Sequence, residues 1–224
     1  MRRKERYRLD SLLRVQAFLD AYAEALGPLR ETEAGRQLDG AVERSTAHAL
    51  DQGTARRQLA GTGNEAMQRV IEVRSRQLSP LARFARARLR DVPAFDALTH
   101  APHNRQGASI VHAARAMAEA AVPYADVLAA AHFPAGTVEA LGDAVGALDR
   151  VIGEREAARS RWVVATAGIR HENTRGREAV AMLDPVVTSK LAGQPELLAG
   201  WRSAKRVTAM PQSAGVPSET ASAA

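Results

Sequence analysis

The sequence contains no cysteine, which excludes disulfide bonds, thiol nucleophiles and thiolate metal ligands within this chain. Aromatic residues make up only 4% of its 224 residues. A core must therefore be built mainly from alanine, leucine and valine, which suit close helix packing better than sheet surfaces. Lysine occurs only three times, whereas arginine and alanine are abundant. This bias is typical of a GC-rich genome. Abundant arginine is for that reason weak evidence for nucleic acid binding.

Long apolar runs are also missing from the sequence. No stretch approaches the roughly 18 consecutive apolar residues that a membrane span requires. The basic N-terminus is similar to the start of a secretory signal, but Asp10, Arg14 and Asp20 interrupt any apolar segment and no small-residue cleavage site follows. We interpret it as an amphipathic helix and predict a cytoplasmic protein.

Hydrophobic residues account for 46% of the chain, which is ordinary for a protein with a packed core. The net charge of +6 is unevenly distributed along it. Residues 1–90 contain 18 Lys and Arg against 11 Asp and Glu, whereas residues 91–224 contain 13 against 14. All of the excess positive charge therefore lies in the first part of the chain.

Apolar residues recur at steps of three and four along most of the sequence, the spacing that lines one side of an α-helix. Gly27 and Pro28 end the first predicted helix, and Pro195 opens the last. Pro123 predicts a bend. The predicted helices cover residues 5–26, 33–58, a long segment from about 67, 107–131, a segment starting at FPAGTVEAL, a long segment from about 155, and PELLAGWRSAKRV.

Several other segments predict interruptions between these helices. GTGNEAMQ (61–68) is typical of a break followed by a helix cap. Ser79 and Pro80 predict either a kink or a new helix, and a turn is expected within residues 153–161. Asp184 and Pro185 have the pattern of a cap and first-turn pair for a further short helix.

These patterns predict an all-α fold, an antiparallel helical bundle of about six helices. We predict one domain, residues 1–207, with two similar helical halves, 5–98 and 107–207, as an alternative because SLLRVQAFLDAYAEAL loosely matches SIVHAARAMAEAAV. The Ser-, Pro- and Ala-rich residues 208–224 are predicted to be a disordered tail. The core is predicted to include Leu19, Tyr22, Val70, Met117, Val145, Ile169, Val180 and Leu183.

The stretch RHENTRGREAV (170–180) is a polar cluster in an otherwise apolar and alanine-rich half of the chain. The apolar stripe through it places Asn173 and Gly176 on the inward side of the helix and His171 and Glu178 on the opposite side. Adjacent helical residues point about 100° apart, so His171 and Glu172 do not form an acid–base pair. We predict that Asn173 fixes helix register and that Gly176 allows close approach. The stripe consists of Trp162, Thr166, Ile169, Asn173, Gly176, Val180, Leu183 and Val187.

His100, His103 and His112 are the strongest candidate metal ligands, since three imidazoles can hold zinc. No HExxH motif accompanies them, and no histidine has a glutamate three residues before it, as di-iron bundles require. We predict a solvent-exposed polar loop and no metal or other cofactor. Nucleotide-binding loops and the serine-hydrolase motif are also absent from the sequence, so we predict no enzyme.

The strongest chemical feature is a series of arginines spaced by seven, close to two helical turns. A continuous helix would align Arg69, Arg76, Arg83 and Arg90 as a face for an anion or a partner, and Arg86 would join this face at steps of three and four from Arg83 and Arg90. Such a face could bind nucleic acid phosphates, an acidic protein or anionic lipid, or could simply be solvated and paired with neighbouring acids. We predict a non-enzymatic interaction or assembly protein with a protein partner or self-association, and nucleic acid binding as the alternative. No small-molecule substrate is evident.

Three segments of the chain, FPAGTVEALGDAV, ATAGIRHENTRGREAVAMLDPVV and PELLAGWRSAKRV, resemble a group of uncharacterised bacterial all-helical proteins. The resemblance covers most of residues 5–207. It implies an all-helical fold and a bacterial source, and it assigns no activity, cofactor or functional residue.

Overall fold

The computed structural model describes residue 1, residues 3–102 and residues 106–207. The described residues are 86% helical and contain no strand. The predicted all-α fold is therefore confirmed, whereas the predicted tail, 208–224, lies outside the described residues. The helices are α1 (Arg3–Ala21), α2 (Ala23–Leu26), α3 (Glu33–Glu72), α4 (Ser79–Arg88), α5 (Phe95–Thr99), α6 (Gly107–Ala121), α7 (Ala125–Ala130), α8 (Thr137–Lys190) and α9 (Pro195–Ala204).

Six helices in the described part of the chain have ten or more residues, in agreement with the predicted number. Shorter elements join them: 3-10 turns at Leu29–Glu31 and Val122–Tyr124, and a π-helical segment at Val73–Leu78. The predicted stop after Leu26 is confirmed, because Gly27 there adopts a φ of +69°, which favours glycine. The 3-10 turn at Pro123 also confirms the bend predicted there.

The break predicted at GTGNEAMQ is wrong, because α3 continues through residues 61–68 without interruption. Thr62 and Asn64 are the two candidate caps for a new helix there. Thr62 instead donates its hydroxyl to the Gln58 carbonyl one turn earlier, at 2.7 Å. Gly61 and Gly63 cost up to about 1 kcal/mol each relative to alanine, which packing on both sides of them offsets. Isolated glycines thus weaken this helix without ending it.

The turn predicted within residues 153–161 and the new helix predicted at Asp184 are also wrong, because α8 is continuous from Thr137 to Lys190. Asp184 does not cap a helix N-terminus. Its carboxylate accepts hydrogen bonds from Trp201 and Lys205 instead, so the residue that resembled a cap serves a tertiary contact.

The chain forms two compact units. Unit 1 combines residues 1–53 with the chain from Val163 onward, and unit 2 comprises residues 54–162. These are not the halves 5–98 and 107–207, since each half contributes to both units. The single-domain boundary at residue 207 stays a prediction.

Unit 1 is an antiparallel packing of helices. Three hydrogen bonds join α3 to α8: Gln37 to the Arg175 carbonyl, Ser45 to Asn173, and Gln52 to Thr166. Residue numbers rise along α3 as their partners fall along α8, so the two segments run in opposite directions. The buried apolar core of this unit includes Leu12, Val15, Leu19, Leu38, Val180, Leu183, Val187 and Trp201.

Unit 2 has its own apolar core, to which α4, α6 and the first part of α8 contribute. Its fully buried side chains include Leu78, Ile110, Met117, Leu141 and Leu148. Of the core residues predicted for the chain, all are confirmed except Tyr22, which is 37% exposed. The reason is local: α1 ends at Ala21, and Tyr22 lies between α1 and α2 with its ring against Phe18. In the described residues, no helix is both long and apolar enough to cross a membrane.

Candidate functional site

Asn173, in the stretch RHENTRGREAV, forms hydrogen bonds with residues of two other helices. Its side chain is fully buried in unit 1, as predicted. The Asn173 amide nitrogen donates to the Glu5 carbonyl and to Glu5 Oε2, both at 3.1 Å, while its amide oxygen accepts from the Ser45 hydroxyl, also at 3.1 Å. One asparagine therefore links α1, α3 and α8 and fixes their register.

Glu172, which the stripe did not place inside, is also buried. Arg44 Nη2 lies 3.0 Å from Glu172 Oε2, and Arg175 Nη1 lies 3.8 Å from the same oxygen. The surrounding arginines explain why a carboxylate is tolerated there. His171 and Glu178 are exposed, as predicted.

Gly176 allows the close helix approach predicted for it. A Cβ atom at this position would lie 2.5 Å from Leu12 Cδ1, a distance that real Cβ atoms do not tolerate. Gly168 has the same role against His48, also at 2.5 Å. The stripe is confirmed from Ile169 to Val187, but Trp162 at its start is 37% exposed and was wrongly placed inside.

The structure describes two of the three candidate metal ligands. His103 lies outside the described residues, and His100 and His112 are both exposed. In the part of the chain that the structure describes, no three His, Asp or Glu side chains come together to hold a metal ion.

The arginine-rich segment, residues 73–90, lies in unit 2 and contains six arginines and no acidic residue. Arg76, Arg83, Arg86, Arg88 and Arg90 are exposed. Before the segment, Arg69 pairs with Glu65, and within it Arg76 pairs with Glu72, each at 3.0 Å. From residue 83 to 90, no arginine pairs with a carboxylate among the described residues. Arg86 donates to the Thr99 carbonyl and Arg90 to the Arg86 carbonyl, both at 2.8 Å.

A π-helical stretch, Val73–Leu78, interrupts the predicted alignment of this series. Ser79 donates both its amide and its hydroxyl to the Arg74 carbonyl, five residues back. One extra residue in the turn rotates the following helix by about 100° relative to α-helical register. α4 also ends at Arg88, so Arg90 lies beyond it. The seven-residue spacing therefore does not produce one continuous face, and Ser79 starts no new capped helix.

A small cavity of about 240 Å³ lies beside Arg76. Phe133, Pro134 and the N-terminal residues of α8 form its other wall. The Gln77 side-chain oxygen is buried near it without a hydrogen-bond partner among the described residues, while the Gln77 nitrogen lies 3.5 Å from the Ala140 carbonyl. The cavity thus offers one hydrogen-bond acceptor beside an exposed guanidinium.

A basic cleft in unit 1 was not predicted from the sequence. It consists of two cavities, of about 390 and 700 Å³, that share Arg177 and Val207 as wall residues. The basic residues around it are Lys4, Arg8, Arg177, Arg202, Lys205 and Arg206. Lys4 and Arg8 are one turn apart on α1, and three of the others cluster at the end of α9. That local clustering is the sequence signal that could have indicated the cleft.

Asp184 is the acidic residue that lines this cleft. Lys205 Nζ lies 2.6 Å from both of its carboxylate oxygens, and Trp201 Nε1 donates to Oδ1 at 2.7 Å. Partial burial raises the pKa of Asp184, but the hydrogen bonds from Lys205 and Trp201 outweigh it, so that the pKa lies below its usual value. The carboxylate is thereby paired with Lys205, and it forms no ion pair with the other basic residues of the cleft.

In comparisons with known proteins, no family model, no curated protein and no solved structure matches this chain.

Proposed function

We propose that this protein is a non-catalytic interaction protein that binds an acidic protein partner through the arginine-rich segment of unit 2. The observation that carries the proposal is the exposed arginine group from residue 83 to 90, which forms no ion pair with a carboxylate of the described residues. Like charges held close together repel one another, so a partner of opposite charge is the natural source of compensation.

Exposed apolar side chains just before the arginine-rich segment favour a protein partner over nucleic acid. Met67 and Ile71 are more than 40% exposed and lie one turn apart on α3, just before the segment. Methionine and arginine are both enriched at protein interfaces, where aliphatic groups form the dry centre. The exposed residues of the segment include no aromatic side chain on which the bases of a single strand could stack.

The π-helical stretch supports a functional role for the same place. Such stretches are rare and occur frequently at functional sites, because they insert a residue at a cost in helix stability. Here the insertion lies directly before the uncompensated arginines, and it sets the rotation at which α4 presents them.

The proposal is tested with a defined acidic probe, fluorescently labelled poly-glutamate, by anisotropy at about 50 mM salt. We expect the wild-type chain to bind it and a variant with Arg83, Arg86, Arg88 and Arg90 changed to Gln to bind at least about tenfold more weakly. Gln keeps helix propensity nearly intact, so lost charge is separated from lost fold. The matched control changes Arg150, Arg155, Arg159 and Arg161 to Gln, an equal loss of charge in a stretch that also contains Glu154 and Glu156.

A second arm uses duplex DNA over a range of salt concentrations. Four phosphate contacts would give a log-log slope of about −3.6, from roughly 0.9 per phosphate. Nucleic acid binding would replace our proposal if the wild-type chain bound duplex DNA with that slope and did not bind poly-glutamate, and if the segment variant lost the binding to DNA. Equal loss in the two variants, or no binding to either probe together with a strict monomer in light scattering, would overturn it.

A further inference from the structure

We propose that the basic cleft of unit 1 binds a small, multiply charged anion of the phosphate type. This proposal is independent of the arginine-rich segment, which belongs to unit 2. It rests on the charge and the concave shape of a cleft lined by residues of α1, α8, α9 and the residues that follow α9.

The charge balance of the cleft is strongly positive. Six basic side chains line it against one acid, Asp184, which is already paired with Lys205. Arg8 has a partial partner in Glu5, at 3.6 Å. Lys4, Arg202 and Arg206 have no carboxylate partner in the described part of the chain, so the cleft concentrates positive potential that an anion would neutralise.

Arg177 has the central place because it lines both cavities. Its Nη1 donates to the Lys205 carbonyl at 3.3 Å, which holds the guanidinium against the end of α9. A guanidinium carries five N–H donors, so the remaining ones are available to an anion. Arginine binds phosphate through two parallel hydrogen bonds, a geometry that a fixed guanidinium favours.

The walls of the cleft are held in place by buried structure. Trp201 is fully buried and is hydrogen-bonded to Asp184, while Arg14 Nη2 donates to the Arg206 carbonyl at 2.7 Å. On the other side, the buried amide of Asn173 is bound to Glu5 and Ser45. A site whose backbone is already positioned loses less entropy when it binds a ligand.

The size of the cleft favours a small ligand over a polymer. Cavities of about 390 and 700 Å³ lie within the range of roughly 300 to 1,000 Å³ that small-molecule sites occupy. The larger cavity also has an apolar wall, formed by Val180, Ala181 and Ala199. Two cavities that share Arg177 as a wall residue suit a ligand with two anionic groups, and pyrophosphate is the simplest probe of that kind.

Isothermal titration of the full-length protein with inorganic pyrophosphate tests the inference, with orthophosphate and citrate as comparison anions. We expect pyrophosphate to bind more tightly than orthophosphate, since it reaches both cavities. Arg177→Gln should weaken the binding of pyrophosphate by about tenfold or more. Arg6→Gln is the matched control, because Arg6 is exposed on α1 and lines neither cavity; its affinity should stay within about twofold of wild type.

The absence of a heat of binding at millimolar pyrophosphate would overturn the inference, and so would equal weakening by Arg177→Gln and Arg6→Gln. If Arg177→Gln lost both its affinity and its circular dichroism spectrum, the folded variant Arg202→Gln would decide. Normal binding by Arg202→Gln would then overturn the inference. Tighter binding of citrate than of pyrophosphate would contradict the phosphate assignment. The variant with four arginines changed in residues 83–90 should bind pyrophosphate normally, and this outcome separates the cleft from the function proposed for unit 2.

Discussion

At position 176 the backbone of α8 lies directly against Leu12 of α1, and this contact leads to a test at the scale of one residue. Leu12 is only 1% exposed, so its side chain has little freedom to move away from an added Cβ atom. We expect Gly176→Ala to destabilise the protein by about 1–3 kcal/mol, the usual cost of overpacking. Urea unfolding measures the difference.

Gly153→Ala in the same helix is the control. Gly153 is exposed, and an added Cβ atom there meets nothing within 4 Å. Alanine should therefore stabilise the helix by up to about 1 kcal/mol. If the two substitutions changed stability in the same direction, the close approach at Gly176 would not be a steric requirement.

Asn173 supports a second prediction at this scale. Replacement by alanine would leave the Ser45 hydroxyl and the Glu5 carboxylate buried without their partner, at a cost of about 1–3 kcal/mol. Thr174→Ala, at the exposed neighbouring position, should change the unfolding free energy by less than about 0.5 kcal/mol. An Asn173→Ala variant as stable as Thr174→Ala would show that the buried network contributes nothing.

The lowered pKa of Asp184 predicts how stability depends on pH. A carboxyl with a lower pKa in the folded than in the unfolded state stabilises the fold above its ordinary value, 3.8, and that contribution is lost as the pH falls through the folded pKa. The difference in urea midpoint between wild type and Asp184→Asn should therefore be largest near pH 7. It should shrink below about pH 4, where unfolded Asp also protonates. A difference that grew toward acid pH would contradict this.

At the scale of the element, Val73 and Leu78 show why the π-helical stretch was missed. Both side chains are buried although they are five residues apart, which in an α-helix would turn them about 140° from each other. A search for steps of three and four passes over a step of five. Ser79 and Pro80 did mark the right place, but they are consistent with a kink, a cap or a π turn. Only the tertiary packing selects among these.

Deletion of one residue tests the π-helical stretch. Removing Ser75, which is exposed, would turn the step from Val73 to Leu78 into an α-helical step of four and keep both residues in the core. We expect the ΔSer75 protein to stay folded with wild-type helicity. Removing the exposed His112 from α6 should rotate Ile110 and Val111 by about 100° relative to Met117, and so unfold unit 2. Circular dichroism and thermal unfolding compare the two deletion variants. If both stayed folded, or if both unfolded, the assignment of a π-helical stretch at Val73–Leu78 would be contradicted.

At the scale of the molecule, periodicity predicted the helices and most of the core because side-chain burial follows the local 3.6-residue repeat. Periodicity could not predict the two units. The long helices α3 and α8 each run from one unit into the other, and the sequence pattern of a continuous helix does not change at the boundary. The basic cleft was not predicted from the sequence for a related reason. Local clustering marks Lys4 with Arg8 and the basic residues at the end of α9, but no local pattern connects these clusters to Arg177, because helix packing brings them together.

Each unit has its own apolar core, and this predicts how the whole chain unfolds. Met117 is fully buried in unit 2, so Met117→Ala should cost that unit about 2–5 kcal/mol. Trp201 is buried in unit 1, and in a Trp162→Phe background it is the only tryptophan left of the two in the chain. We expect Met117→Ala to move the urea transition of helicity to lower concentration while the Trp201 fluorescence transition stays nearly in place. Coincident transitions, displaced together by the substitution, would show instead that α3 and α8 make the two units unfold as one.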